Sequence, residues 1–349
     1  RGARLEIRSA AESARYYLSD WIVDMGPWLD AASPYTGKPW KESFYPGILS
    51  GCRLSPQQDV WLGVPLTYST VAFFSNATAF GKVGIDKAPA NWSGVLEAAE
   101  KIQAADPDAI PFSVMNSVPW NLYWIMNHFM AQVWYDQVPA MDVITKDGIV
   151  DLEEQALAVM TGVMDPADRR FVDFFRFLKR LAAYFNRGFN VVEMEYETLF
   201  NQGRAAMTVN GYWFVNQSMA EDFPVTYDIA PLPYVDKGIS EFGIDRPVKY
   251  AIGPQTPALL VTSAAESAGH LEQAVDLLRF WTDPDSGGKE FFASGLYLPA
   301  IRDIALSPSQ EVVLDTIGDE VMWIAFGIHS FTSEEMQTFH VMLQTFLED

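Results

Sequence analysis

Three carboxylates, Glu193, Glu195 and Glu197, stand at alternate positions in "NVVEMEYETLF". Glycoside hydrolysis needs two carboxyl groups facing each other across a pocket, one to protonate the leaving oxygen and one to attack or to activate water. Three along a single segment fit a plainer role, as acidic groups near the positive end of a helix dipole. The four histidines, His128, His270, His329 and His340, are scattered, and none pairs with another at helical ligand spacing. With one cysteine, Cys52, they offer no clustered ligand set. No metal and no cofactor is therefore expected. Cys52 can form no disulfide within the chain and reads as a small buried hydrophobe. No Gly-rich phosphate loop, no H-E-x-x-H and no G-x-S-x-G elbow occurs, so the enzyme classes those motifs mark are not indicated.

Aromatic and amide side chains read differently. "VPWNLYW" groups Trp120, Asn121, Tyr123 and Trp124 at a strand-to-helix junction, where α/β proteins bind their ligands. Some of the four are expected to face a ligand, and the plain alternative is an amphipathic helix start with ordinary core aromatics. "NQGRAAMTVNGYWFVNQ" sets Tyr212 and Trp213 directly after Asn210-Gly211. Asn and Gly tolerate left-handed backbone, so a sharp bend is expected there. The two rings then stand where a strand stops, and either fill a core or line a wall.

The elements that carry these residues alternate between strand and helix, which predicts an α/β fold with mostly parallel sheet. Trp92, Val95, Leu96, Ala99 and Ile102 share one helical face, and Phe171, Phe174, Phe175 and Leu178 share another. Trp21, Met25 and Trp28 also recur at helical spacing and are expected to face a core. The run from Pro65 to Phe74 is long for one strand and is expected to cross from one lobe to another. With 349 residues, 49% of them hydrophobic, the chain is long enough for two lobes. A net charge of −21 argues against nucleic acid, anionic lipid and polyanionic ligands. The sequons at Asn76, Asn91 and Asn216 are read as chance. No stretch is apolar enough to span a bilayer, and no signal segment stands at Arg1.

Several stretches, in order, resemble one family. "GVPLTYSTVAFFSNATAFGKVGIDKAPANWSGVLEAAEKI" carries Pro65, Asn76, Pro89 and Trp92 in the family's pattern of a crossing run and a Pro-x-x-Trp helix start. "LFNQGRAAMTVNGYWFVNQ" matches F-x-x-G-x-A-A-M followed by Gly and Trp, with Phe200, Gly203, Ala205, Ala206, Met207, Gly211 and Trp213. "YDIAPLP" and "LEQAVDLLRFWTDPDSGGKEFFASGLYLPAIRD" resemble the later elements. From about Trp40 to Arg302 the chain thus resembles the extracellular solute-binding proteins of bacterial ABC importers, in the carbohydrate-binding group that includes maltose-binding protein. Relative to that pattern it is expected to lack an opening strand and helix and a closing helix.

The resemblance implies a two-lobe periplasmic-binding-protein-like fold with an interlobe cleft. Lobe I is expected over 1–67 and 255–298, and lobe II over 72–240 and 303–349, with crossings near 68–71, 241–254 and 299–302. Trp213 matches the position that stacks on sugar in relatives, with Tyr212 beside it. Tyr68 and Ser69 fall on the first crossing run, and Ser69 stands where some relatives have a carboxylate. Tyr297 and Trp323 lie near the last crossing. The implied function is binding of a sugar or oligosaccharide by hinge closure, without chemistry, and delivery to the permease subunits of an ABC transporter. A monomer is expected, outside the cytoplasm, in the periplasm or lipid-anchored at the surface. The alternatives are a glycoside-active enzyme, a binding protein for a peptide, polyamine or phosphate ester, and a sensor relative.

Overall fold

The computed structural model describes residues 5–8, 10–55, 58–68, 70–118, 121–146, 148–150, 152–191, 195–215, 225–246, 258–295, 297–314, 323–324 and 333–348. The chain divides into two compact units: Arg1–Thr70 with Ala251–Val321, and Val71–Tyr250 with Met322–Asp349. The first boundary falls inside the long apolar run. That run is three short strands, Val64–Pro65, Thr67–Tyr68 and Val71–Asn76, and the last opens the second unit. The third boundary differs from the expected one, because residues 303–321 group with the first unit. The Pro308–Leu314 helix is tied there by Gln310, which donates to the Tyr297 carbonyl at 2.6 Å and accepts from the Ser307 amide at 2.7 Å.

In the first unit, Ala258–Val261 is the central strand of three. It pairs antiparallel with Leu5–Arg8 on one side and with Val64–Pro65 on the other. All four of its residues are buried, as two-sided coverage requires of an "ALLV" run. Met25, Trp40, Phe44, Leu278 and Ile301 pack into the same core. The buried Trp40 indole N–H donates to Thr282 Oγ1 at 2.8 Å, so its polar edge is satisfied inside. Leu298–Pro299 pairs with Thr67–Tyr68. Trp21 does not join the core: its helix stops at Leu18, and Asp20 then takes a left-handed φ of 58°. Helical spacing does not survive that break. Trp21 is left 59% exposed, stacked on Tyr16 with centroids 5.6 Å apart, while Met25 is buried and Trp28 half-buried.

The second unit is built on a four-stranded sheet in the order Tyr227–Ala230, Val71–Asn76, Ala205–Gly211, Ile110–Ser113. The first two ladders are antiparallel and only the last is parallel. The expectation of mostly parallel pairing is therefore corrected: among the described residues the sheets are mixed, with antiparallel ladders in the majority. Alternation of strands and helices along the chain fixes the layers but not the neighbours, and here the first and third of this sheet's strands in chain order lie side by side.

Helices cover this sheet with the faces that the spacing predicts. In Trp92–Ala105 the five named apolar residues are all buried. Asn91 caps that helix by accepting from the Gly94 amide at 2.8 Å, and Asn76 caps Ala77–Lys82 by accepting from Ala79 at 3.1 Å. Two of the three sequon asparagines are thus held by helix caps, and Asn216 lies outside the described residues. In Arg169–Ala182, Phe174 and Leu178 are buried, while Phe171 and Phe175 pack partly buried against the core. The carboxyl-terminal helix, Ser333–Glu348, adds Leu343 and Leu347 to that core.

Candidate functional site

Ala205–Gly211 and Ile110–Ser113 run parallel, so their carboxyl ends share one edge of the sheet in the second unit. Both are followed there by the residues singled out for recognition. After Ser113 the chain leads into the Asn121–Val133 helix, with Trp124 in its first turn. After Gly211 comes a two-residue turn, Tyr212 and Trp213. This is the edge of an α/β sheet that ligands favour.

The turn sorts its aromatics by alternation. Tyr212 is buried at 2% exposure and Phe214 is fully buried, whereas Trp213 between them is 42% exposed. Phe214 sits edge-on to Phe74 at 5.1 Å and against Phe200 at 5.8 Å between centroids. The two inward rings anchor the turn, and Trp213 is held out by them. Its indole meets the half-buried Trp124 edge-to-face, with centroids 5.7 Å apart and planes at 72°. Such an arrangement matches the positive edge of one ring to the negative face of the other.

The bend expected at Asn210-Gly211 is corrected. Both residues remain in the strand, paired with Ala72 and Val71, and neither is among the left-handed residues of the chain. Gly211 serves another purpose: a Cβ built on it would collide with the six-membered ring of Trp213. The missing side chain makes room for the indole to fold back over the strand end. Asn210 is wholly buried. Its Oδ1 accepts from the Gly211 amide at 2.8 Å, and its Nδ2 donates to Glu197 Oε1 at 2.8 Å. The Tyr196 hydroxyl donates to the same Glu197 oxygen at 3.1 Å. Burial, and next the charge of Glu197, push the Tyr196 hydroxyl far up, so it stays a donor.

Asn121 and Tyr123 do not face outward. Asn121 Nδ2 donates to the Val209 carbonyl at 2.6 Å and its Oδ1 accepts from the Met115 amide at 3.2 Å. One end ties the helix start to the sheet and the other to the segment that follows Ser113. Tyr123 is 1% exposed and packs on Phe339 and His340, and burial pushes its hydroxyl up to about 12. In the first unit Tyr68 is buried in its strand pair, and Tyr297 is 42% exposed, stacked on Phe291 at 5.3 Å. Trp120 and Ser69 lie outside the described residues. Trp323 is described only by its backbone, which pairs in parallel with Ile149.

The acidic segment is split by its surroundings. Glu197 is turned inward to Asn210. Glu195 lines a surface cavity of ≈ 530 Å³ with Asp108, Arg187 and Arg204. A second cavity, of ≈ 290 Å³, adjoins Asp108, Ile110 and Ala205. Both open at the amino-terminal ends of the two parallel strands, away from Trp213. No group of three or more His, Cys, Asp or Glu side chains fit to hold a metal occurs among the described residues. The Tyr196–Glu197–Asn210 group is the part of the site that spacing alone missed. Its signal was the polar Asn210 and Thr208 inside a strand whose seven residues are all buried, since such groups must find partners.

A family profile described as bacterial extracellular solute-binding protein matches residues 9–313. No curated protein matches the chain by sequence. Among solved structures, the chain is similar to a probable secreted solute-binding lipoprotein from Streptomyces coelicolor, with 16% identity and a TM-score of 0.69 over 98% of this chain and 79% of that one. It is similar to RafE in complex with raffinose, a protein also known in its apo form from Streptococcus pneumoniae, with 14% identity and a TM-score of 0.66 over 98% and 80%. It is similar as well to maltose-bound MalE3 of T. maritima, with 15% identity and a TM-score of 0.63 over 99% and 79%. At these identities the likeness is one of fold, that of two-lobe solute-binding proteins.

Proposed function

The chain belongs to the bacterial extracellular solute-binding proteins, and from that premise we propose that it binds a neutral saccharide against Trp213 and passes it to an ABC membrane permease. The observation that carries the reading is the half-exposed indole of Trp213, held out between buried Tyr212 and Phe214 and braced by Trp124. A sugar ring gains from such a platform because its C–H face is apolar and the indole face is flat, rigid and electron-rich. The raffinose and maltose bound by RafE and MalE3 support the ligand class. The net charge of −21 supports an uncharged ligand over a polyanion.

No reaction is part of this role. Of the carboxylates that a hydrolase reading would use, Glu197 is engaged with Asn210 and Tyr196, and Glu195 lines the cavity at the other end of the sheet. Micromolar affinity corresponds to about −8 kcal/mol. An aromatic stack and a few hydroxyl hydrogen bonds, each contributing about 1 kcal/mol net, reach that order together with the burial of C–H surface.

The test is a thermal-shift screen against mono- and oligosaccharides, because a ligand that binds only the folded state adds RT ln(1 + [L]/Kd) to the unfolding free energy and so raises the midpoint. Raffinose, maltose and chitin oligosaccharides enter first. A saccharide that raises the midpoint, and does so less for Trp213→Ala, supports the reading. A Trp213→Ala protein with wild-type affinity for the same saccharide removes the site.

A further inference from the structure

We infer that Glu197 is a positioning residue for the Trp213 platform. The inference rests on the reading of Trp213 as the ligand-facing ring. A carboxylate buried at 6% exposure next to a strand end needs a reason, since a charge out of water is costly unless its partners are well placed. Here the partners form a chain of contacts that ends at the platform. Glu197 Oε1 accepts hydrogen bonds from Asn210 Nδ2 at 2.8 Å and from the Tyr196 hydroxyl at 3.1 Å. That pull sets the Asn210 amide so that its Oδ1 faces the Gly211 amide at 2.8 Å. The Tyr196 hydroxyl oxygen also lies 3.3 Å from Asn210 Oδ1, closing the group.

Gly211 is the residue over which the Trp213 indole folds back. The peptide that leads into the turn is therefore held by Asn210, and Asn210 by Glu197. An anionic acceptor gives a stronger hold than a neutral one, because charge-assisted hydrogen bonds are shorter and stronger. The carboxylate itself does not touch the ligand. It fixes where the indole stands, and a platform preset in this way spares the ligand the cost of ordering it.

The test reads the indole directly. Each protein is paired with its Trp213→Phe counterpart, and the difference in their emission isolates Trp213. Glu197→Ala and Asn210→Ser each cut the link, from opposite sides. In each, the Trp213 signal is expected to move to longer wavelength and its acrylamide quenching constant to rise by about twofold. Because both changes break one link, the double variant is expected to go no further than either alone. Glu197→Gln keeps an acceptor for Asn210 and is expected to restore most of the wild-type signal. Asn210→Ser is the smaller change and carries the test if Glu197→Ala does not fold.

An unchanged Trp213 signal in either folded variant overturns the inference, as does a Glu197→Gln protein that behaves like Glu197→Ala. The emission measurement needs no ligand. Failure of the ligand reading shows separately, as Trp213→Ala retaining wild-type affinity in titrations with raffinose and maltose.

Discussion

The indole of Trp213 occupies the space that a side chain on Gly211 would fill. Two residues apart in sequence, they share one volume, so no side chain can be added at Gly211 without moving Trp213. Gly211→Ala is expected to push the indole off the strand end and to lower the unfolding free energy by about 1–3 kcal/mol, the usual cost of overpacking. Thermal unfolding and Trp213 emission check it together: a variant with unchanged midpoint and unchanged emission contradicts the packing described.

Trp213→Ala should separate binding from stability. The ring is 42% exposed, so its removal is expected to leave the melting midpoint within a few degrees of wild type. Saccharide affinity is expected to fall by about tenfold or more, which is at least ~1.4 kcal/mol. Calorimetric titration with the saccharide that gives the largest thermal shift measures both the loss and its enthalpy.

Trp92→Ala probes the core of the second unit. Trp92 is fully buried against Phe177, with centroids 5.0 Å apart. Deleting it is expected to cost about 3–5 kcal/mol. A denaturant titration showing a loss well under that range would place Trp92 outside the main cooperative core.

Acid sensitivity has a specific source in His128. The residue is buried in the Asn121–Val133 helix, its ring 2.9 Å from Gln132 Nε2, while Gln132 Oε1 accepts from the Val235 amide at 2.7 Å. Burial holds its pKa down at about 3, against 6.5 for a free imidazole. Between those values the unfolded chain binds a proton that the folded protein does not. Stability from this group is therefore complete above pH 6.5 and declines as the pH falls toward 3, by up to about 1.4 kcal/mol per pH unit. His340 is shifted in the same direction, chiefly by burial, and adds to the slope. His128→Gln is expected to flatten the pH dependence of the unfolding free energy below pH 6.5, and an unaltered slope would exclude His128 as its source.

Cys52 is wholly buried, and burial pushes its thiol up to about 12. The thiolate is the reactive form. Labelling by a thiol reagent in native buffer is expected to be slow and to become rapid once denaturant unfolds the first unit. Rapid native labelling would show that the site opens without unfolding.

How far these features could be read from residues alone varied with the range of the interaction. The Trp92–Ala105 helix was legible because its cap, its apolar face and its stop at Asp106 are all local. The strand pairing was not, because which strand lies beside Val71–Asn76 depends on contacts made more than a hundred residues away. Trp213 was singled out through its motif, and the fold leaves its ring 42% exposed. Its partner Gly211 was noticed for the wrong reason, as a bend rather than as a space. Asn121 looked like a ligand donor because an amide at a helix start can face outward. Its hydrogen bonds instead join the helix to Val209 in the sheet and to Met115 just past the neighbouring strand. Glu197 was seen only as one of three acidic residues, since nothing in its spacing shows that Asn210 waits for it.

The sheet orders also set a sequence of events during synthesis. In the second unit the strand pair Val71–Asn76 and Ala205–Gly211 cannot form until the ribosome has passed residue 211. The first unit waits longer, because its central strand, Ala258–Val261, is the last of its three to be made. Leu5–Arg8 and Val64–Pro65 must therefore wait for their shared partner while the inserted second unit completes its own sheet. Exposed apolar segments and strand edges that wait in this way are prone to aggregate. Leu5–Arg8 and Val64–Pro65 carry that exposure until one four-residue stretch, Ala258 to Val261, emerges between them.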